Sequence, residues 1–332
     1  MKTHPRDYAI FGLTKIAGAG PPAHQLSALN INLASHIQTI NNLSQKLTPL
    51  QKNTSFLKTL LSQRMSTPTP LHIASLGSSF AAGPGIQPKI SRPARRSGAN
   101  YAHLVASHLN AHLTDLSVSG ATLKNIISEP QTTWPSNTFA PQIEGLSPDT
   151  DIVLLLGGGN DLGYVGGIMS DTLQMSFLGR FLAWLIPSRK AVKLEAEDIK
   201  ERFIEIIDEA RKRAPGCRGL LVEYLTLFGG NAAPGVGLGK GWSVEMIEKH
   251  KAVAKTLSEA YRLAAKAREE CCAVVGAAEK SWEHDIGSKE PWVEGFGWGV
   301  LWNRRAPHHP NAEGMKAVAD MILESLKGLG WT

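Results

Sequence analysis

The chain has 332 residues, 42% of them hydrophobic and 19% charged, with a formal net charge of +6. That is enough apolar chain to bury a substantial core in one large domain or two small ones, and no apolar run reaches the roughly 18–20 residues that a membrane-spanning helix needs. Three cysteines cannot build the disulfide framework of a small secreted domain, so reduced structural thiols in a cytoplasmic protein are expected.

Residues 1–70 read as a helical, acid-poor N-terminal extension. Apolar residues between Leu26 and Met65 are spaced as in amphipathic helices, Pro49 interrupts them, and Ser66–Pro70 ("STPTP") closes the segment. A secretory h-region and cleavage site are missing from its start, which leaves mitochondrial import as the alternative to the cytoplasm. Between Tyr8 and Thr114 there is no Asp or Glu, whereas nine Lys or Arg occur there, three of them arginines within Ser91–Gly98 ("SRPARRSG"). Such a cluster either attracts an anionic surface or substrate or is a solvated loop. No helix-turn-helix, zinc-finger or RNA-binding pattern accompanies it, so no nucleic-acid partner is expected.

Residues 71–332 form the main domain. Short apolar runs at 71–76, 114–119, 151–157, 218–225 and 271–277 alternate with helical patterns at 99–113, 195–214, 243–270 and 311–329. Strands alternating with long helices imply βαβ crossovers and a parallel sheet covered on both faces, a three-layer α/β/α domain. Ligands of such sheets sit at the carboxyl ends of the strands. Gly77-Ser78-Ser79 follows the first predicted strand, Gly120 the second, and Asn160, in "GGGND", the third.

Those residues suit nucleophilic chemistry. A serine hydroxyl needs a general base, usually histidine, and the oxyanion it creates needs preorganised donors such as backbone N–H groups or an asparagine amide. His309, directly before Pro310-Asn311 and the last helix, is placed to supply the base; His308 reads as its surface neighbour. His308-His309 and His284-Asp285 lack the companion ligands of a metal site, and the "GAGPP" and "GPG" strings lack the lysine and helix of a phosphate loop, so neither metal nor other cofactor is expected.

In these motifs the chain resembles the SGNH (GDSL-type) hydrolases, which have a flavodoxin-like fold around a five-stranded parallel sheet and mostly cleave esters. Gly77-Ser78-Ser79 with Gly83 matches the first family motif and implies Ser79 as nucleophile and, through its N–H, oxyanion donor. Gly120 matches the second motif and Gly158-Gly159-Asn160-Asp161 the third, implying the Gly120 N–H and the Asn160 amide as the other donors. His309-Pro310 matches the last motif and implies the base. The match runs from about Leu71 to the C-terminus, in family order.

Two positions depart from the pattern. Ser78 stands where the family has Asp, and Ala306 stands where the family places the acid that orients the histidine. Three readings follow. A backbone carbonyl in the "RAPH" turn holds the imidazole and gives a Ser–His dyad; a carboxylate from Glu283, Asp285, Glu290 or Glu294 folds back; or the site is weak. The expected reaction is hydrolysis of a carboxylic ester, of small-molecule or lipid-like type. An acyltransferase using the same site and a non-catalytic binder on the same scaffold are the alternatives.

The stretch 163–190 is the substrate-specific part. Gly163, Gly166 and Gly167 are candidate hinges, and Phe177, Phe181, Trp184 and Leu185 form an apolar cluster beside basic residues. It reads as a lid, an acyl-chain pocket or a patch for peripheral membrane contact, or else as an ordinary helix that buries its aromatic rings. Phe177, Phe181 and Trp184 are the candidate substrate-binding residues.

Overall fold

The structure, a computed structural model, describes residues 35–39, 41–42, 70–175, 194–236, 241–297, 300, 302 and 305–332. The chain divides into two compact units, Met1–Thr69 and Pro70–Thr332. In the second unit the elements run β1 (His72–Gly77), α1 (Ser79–Ala82), β2 (Lys89–Ser91), β3 (Arg96–Ser97), α2 (Tyr101–Leu109), β4 (His112–Asp115) and α3 (Leu123–Ile127). They continue with β5 (Gln131–Thr133), β6 (Asn137–Phe139), β7 (Ile152–Leu156), α4 (Tyr164–Gln174), α5 (Ala196–Arg213), β8 (Arg218–Val222), α6 (Val244–Ala267), β9 (Cys272–Val275), α7 (Ala277–Lys280) and α8 (Ala312–Gly328).

The central sheet has five strands in the order β4-β1-β7-β8-β9, all paired in parallel. Its middle strands are continuous apolar runs because both faces are covered: every residue of Ile152–Leu156 is buried. Helices α2 and α8 pack together, as do α5 and α6, and these pairs supply the outer layers of a three-layer α/β/α fold. Helix α5 shows why. Ile199, Phe203, Ile206, Ile207 and Ala210 recur along one face and are buried, while its first turn is acidic and its last turn basic, matching the helix dipole. Two small antiparallel hairpins, β2–β3 and β5–β6, stand apart from the sheet.

The second strand is displaced from the predicted 114–119 to His112–Asp115. Asp115 ends it, because its carboxylate accepts from the Ser117 N–H (3.0 Å) and hydroxyl (2.6 Å), a local turn that competes with the ladder. Leu116 and Val118 still donate to Ser75 O and Gly77 O, so the chain follows β1 toward the same rim without being regular strand. No helix among the described residues is long and apolar enough to cross a membrane. Phe177, Phe181, Trp184 and Leu185 lie outside the described residues.

Candidate active site

The turn after β1 is fixed from several sides. A buried side chain, Gln142, clamps Gly77, accepting from its N–H (2.7 Å) and donating to its carbonyl (2.9 Å). Ser78 N–H donates to Leu156 O at the end of β7 (3.0 Å). Ser78 itself is fully buried, and its hydroxyl bonds the Tyr224 hydroxyl at 2.8 Å. The Tyr224 hydroxyl also accepts from Gly159 N–H at 3.3 Å. Tyr224 therefore ties the serine turn to the "GGGND" turn, and a hydroxyl at position 78 suits that partner. Only glycine fits at 159, since a Cβ there would stand 2.7 Å from the Tyr224 ring and hydroxyl.

This network makes a stability prediction. Tyr224→Phe leaves the Ser78 hydroxyl and the Gly159 N–H buried without that partner, at a cost of about 1–3 kcal/mol. Urea unfolding should show this loss, and Ser78→Ala should add much less in the Tyr224→Phe background than alone. Additive costs would mean that the two hydroxyls are not coupled.

Ser79 is the first residue of α1 and is 8% exposed. Its N–H has no partner among the described residues, as expected at the first position of a helix. Gly120 sits in left-handed backbone at φ 87°, a conformation that favours glycine. The carbonyl before it, of Ser119, accepts from Gln131 Nε2 (2.9 Å), so across the trans peptide the Gly120 N–H points the opposite way, and it too has no partner among the described residues. Asn160 donates one amide hydrogen to Ala121 O (2.8 Å), which fixes the amide and leaves its second N–H free to donate. Asp161 bolts this turn in place by pairing with Arg202 (2.6 Å) and accepting from Leu123 N–H (2.9 Å).

His309 comes from the opposite direction, just before α8, whose N-cap Asn311 accepts from Gly314 N–H. Its Nδ1 donates to Pro307 O at 2.8 Å, leaving Nε2 with the lone pair. The ring lies 5.5 Å from the buried Phe80 ring, which in turn packs on Tyr224 at 4.4 Å. Burial pushes the imidazolium down, to about 4; the Pro307 carbonyl acts in the other direction, and the Arg95 charge adds to the lowering.

Among the described residues no carboxylate takes the place left by Ala306; the partner of His309 Nδ1 is Pro307 O. Asp285 is buried and accepts from the Gly229, Asn231 and Ala232 N–H groups. Glu294 pairs with Arg305 at 3.0 Å. Glu290 is joined to His284 through its backbone carbonyl, and Glu283 uses its own carbonyl toward Asn231. His308 corrects a sequence expectation: it is fully buried, not a surface neighbour. Its left-handed backbone, φ 59°, turns the ring inward onto Phe296 with ring planes 10° apart. Neither ring nitrogen has a hydrogen-bond partner among the described residues, and burial pushes its imidazolium down to about 3.

Ser79, Gly120, Asn160 and His309 all line one cleft of about 690 Å³, at the carboxyl ends of the sheet strands. Thr132, Thr133 and Trp134 of the β5–β6 hairpin form one wall; Val165, Gly166 and Met169 of α4 form another. No hydrogen bond joins the Ser79 hydroxyl to the imidazole, a spacing that catalytic pairs often close only around substrate. Among the described residues no three His, Cys, Asp or Glu side chains gather as a metal-binding set. A hydroxyl, an imidazole with a free lone pair and converging N–H donors are the parts an acyl transfer needs.

Residues 75–317 match the family described as GDSL-like Lipase/Acylhydrolase. The chain belongs to that family. The GDSL-like match runs from within β1 to within α8 and includes every lining residue of the cleft. Lipase 2 of Streptomyces coelicolor is 28% identical over 273 residues, covering 79% of this chain and 87% of the relative. Two crystal structures share the fold: phospholipase A1 of Streptomyces albidoflavus (TM-score 0.57, 19% identity, 77% of this chain and 99% of that one) and an extracellular lipase of Streptomyces rimosus (TM-score 0.54, 18% identity, 76% and 99%). This GDSL-like chain is an ester-hydrolysing enzyme.

Sequence reasoning missed Gln142, Tyr224 and Gln131. Each reaches the site from a distant segment or from a hairpin with no motif of its own. A buried amide or phenol serving another turn leaves no local spacing to read.

Proposed function

We propose that this enzyme cleaves carboxylic esters through an acyl-enzyme on Ser79, with His309 as general base and no carboxylate behind it. The hydrogen bond from His309 Nδ1 to Pro307 O carries this reading. It fixes the tautomer and the ring as the orienting acid of a triad does, leaving Nε2 to accept the Ser79 proton. The serine oxygen then bonds to the ester carbonyl carbon, and the carbonyl electron pair moves onto its oxygen. That oxyanion is met by the N–H groups of Ser79 and Gly120 and by the Asn160 amide. Collapse expels the alcohol, which takes the proton from His309. Water, deprotonated by His309, then attacks the acyl-enzyme, and collapse of the second intermediate frees the acid while the departing Ser79 oxygen takes the proton back from His309.

The relatives named lipase and phospholipase support an acyl ester of lipid-like character as substrate. The cytoplasm suits the free cysteines Cys217, Cys271 and Cys272, all buried.

A pH profile tests the dyad. His309 works only as neutral imidazole, and burial lowers its protonation point to about 4. Initial rates on p-nitrophenyl butyrate should therefore keep kcat/KM level from neutral pH down to about 5, with the half-point near 4 and not near the usual 6.5. A half-point at or above pH 6 would point to a carboxylate that stabilises the imidazolium.

A further inference from the structure

The three arginines of Ser91–Gly98 divide into two kinds. Arg96 is engaged: its guanidinium donates to Ser117 O (2.9 and 2.6 Å) and lies 3.4 Å from the Asp115 carboxylate. Arg92 and Arg95 are exposed and have no ion pair or side-chain hydrogen bond among the described residues. Both line the cleft that contains Ser79 and His309, and with Lys89 they also line an adjoining hollow of about 330 Å³. Among the described residues not one Asp or Glu lines either space.

Their position is built rather than incidental. A tight turn, closed by the Arg95 N–H to Arg92 O bond (3.1 Å) with Arg95 at φ 53°, places the two arginines side by side. The carbonyl between them, of Ala94, accepts from Ser119 N–H at 3.0 Å, which staples the turn to the loop that presents Gly120. Like charges held together without a counter-charge repel, whereas an anion between them is attracted, and the guanidinium fork matches phosphate and carboxylate oxygens.

We infer that Arg92, Arg95 and Lys89 form an anion subsite beside the catalytic serine, and that the preferred ester carries a phosphate or carboxylate group away from the scissile bond. This rests on the Ser79–His309 reading of the cleft. The gain is bounded, because exposed charges are screened by water and salt; roughly tenfold in kcat/KM at low ionic strength is expected.

Matched soluble esters test it, each pair differing by one anionic group. On the alcohol side the pair is 4-(butyryloxy)phenyl phosphate against 4-methoxyphenyl butyrate; on the acyl side it is mono-4-nitrophenyl glutarate against 4-nitrophenyl valerate. In about 20 mM salt at least one charged ester should be favoured by about tenfold over its partner, and the ratio should fall toward one in about 0.5 M sodium chloride. Arg92→Gln with Arg95→Asn, the asparagine chosen for the left-handed backbone, should lower that ratio by a similar factor. The salt dependence of the parent needs no variant, so misfolding of the double variant does not remove the test.

Hydrolysis of the neutral esters with no preference for either charged partner would overturn the subsite and leave the Ser79–His309 reading standing. Failure on all four would overturn that reading and the subsite with it. A preference that the variant retains would place the anion elsewhere and sink the assignment. Binding of inorganic phosphate without any charged-ester preference would mark a site for a free anion, and a gain seen only with phosphatidylglycerol vesicles would mark a membrane surface; either overturns the proposal.

Discussion

Ser79→Ala is expected to lower kcat on a p-nitrophenyl ester by about 10⁴-fold or more, and His309→Ala by a similar factor. The double variant should be little worse than either single one, because losses at residues that act as one unit do not add. The neighbouring serine gives the internal contrast. Ser78 is fully buried with its hydroxyl on Tyr224, so it has no route to an ester carbonyl. Ser78→Ala should change stability more than it changes kcat. A Ser78 variant that lost activity as fully as the Ser79 variant, while remaining folded, would contradict the choice of nucleophile.

The second large effect lies at Asn160. Its amide is anchored on Ala121 O at 2.8 Å, so its remaining N–H is oriented before substrate arrives. A donor fixed in this way costs no reorganisation when the oxyanion forms, and removing one such donor typically costs about 10²–10³ in kcat. Asn160→Ala should therefore lose that factor in kcat with KM little altered, as read from steady-state kinetics. Asn160→Asp, nearly the same shape but with acceptor oxygens facing Ala121 O and the oxyanion, should be at least as impaired. A variant that raised KM and kept kcat would assign Asn160 to substrate binding instead.

Much of the frame was legible in the sequence, for physical reasons. Strands covered on both faces must be apolar where they are buried, so Ile152–Leu156 and residues 219–222 announce themselves. The helices of the outer layers carry clear apolar stripes and caps, as in α5 and at Asn311 of α8. The edge strand was harder. Exposed on one side, it has a weaker pattern, and Asp115 turns the chain before the apolar residues end.

The lining of the candidate site was legible at Ser79, Gly120, Asn160 and His309, which meet in one cleft, because turn geometry and chemistry together constrain residue types at such positions. What orients His309 was legible only as one of three readings, a carbonyl of the "RAPH" turn, which the structure supplies as Pro307 O at 2.8 Å. A main-chain carbonyl belongs to every residue, and nothing in "RAPHHP" distinguishes Pro307 O as an acceptor from any other. His308 was misread because a histidine at a loop end is usually exposed; its inward turn depends on a left-handed backbone that the residue type does not announce. Tyr224 and Gln142 act across the fold, where only three-dimensional packing shows their targets.

Covalent trapping tests the central claim most directly. The parent protein, His309→Ala and Ser79→Ala would each be treated with a fluorophosphonate, and the modified peptide would be mapped by mass spectrometry. The dyad predicts one phosphonylated residue, Ser79, in the parent, labelling slowed by orders of magnitude in His309→Ala and none in Ser79→Ala. Label on Ser119, which also lines the cleft, or equal labelling with and without His309, would contradict it.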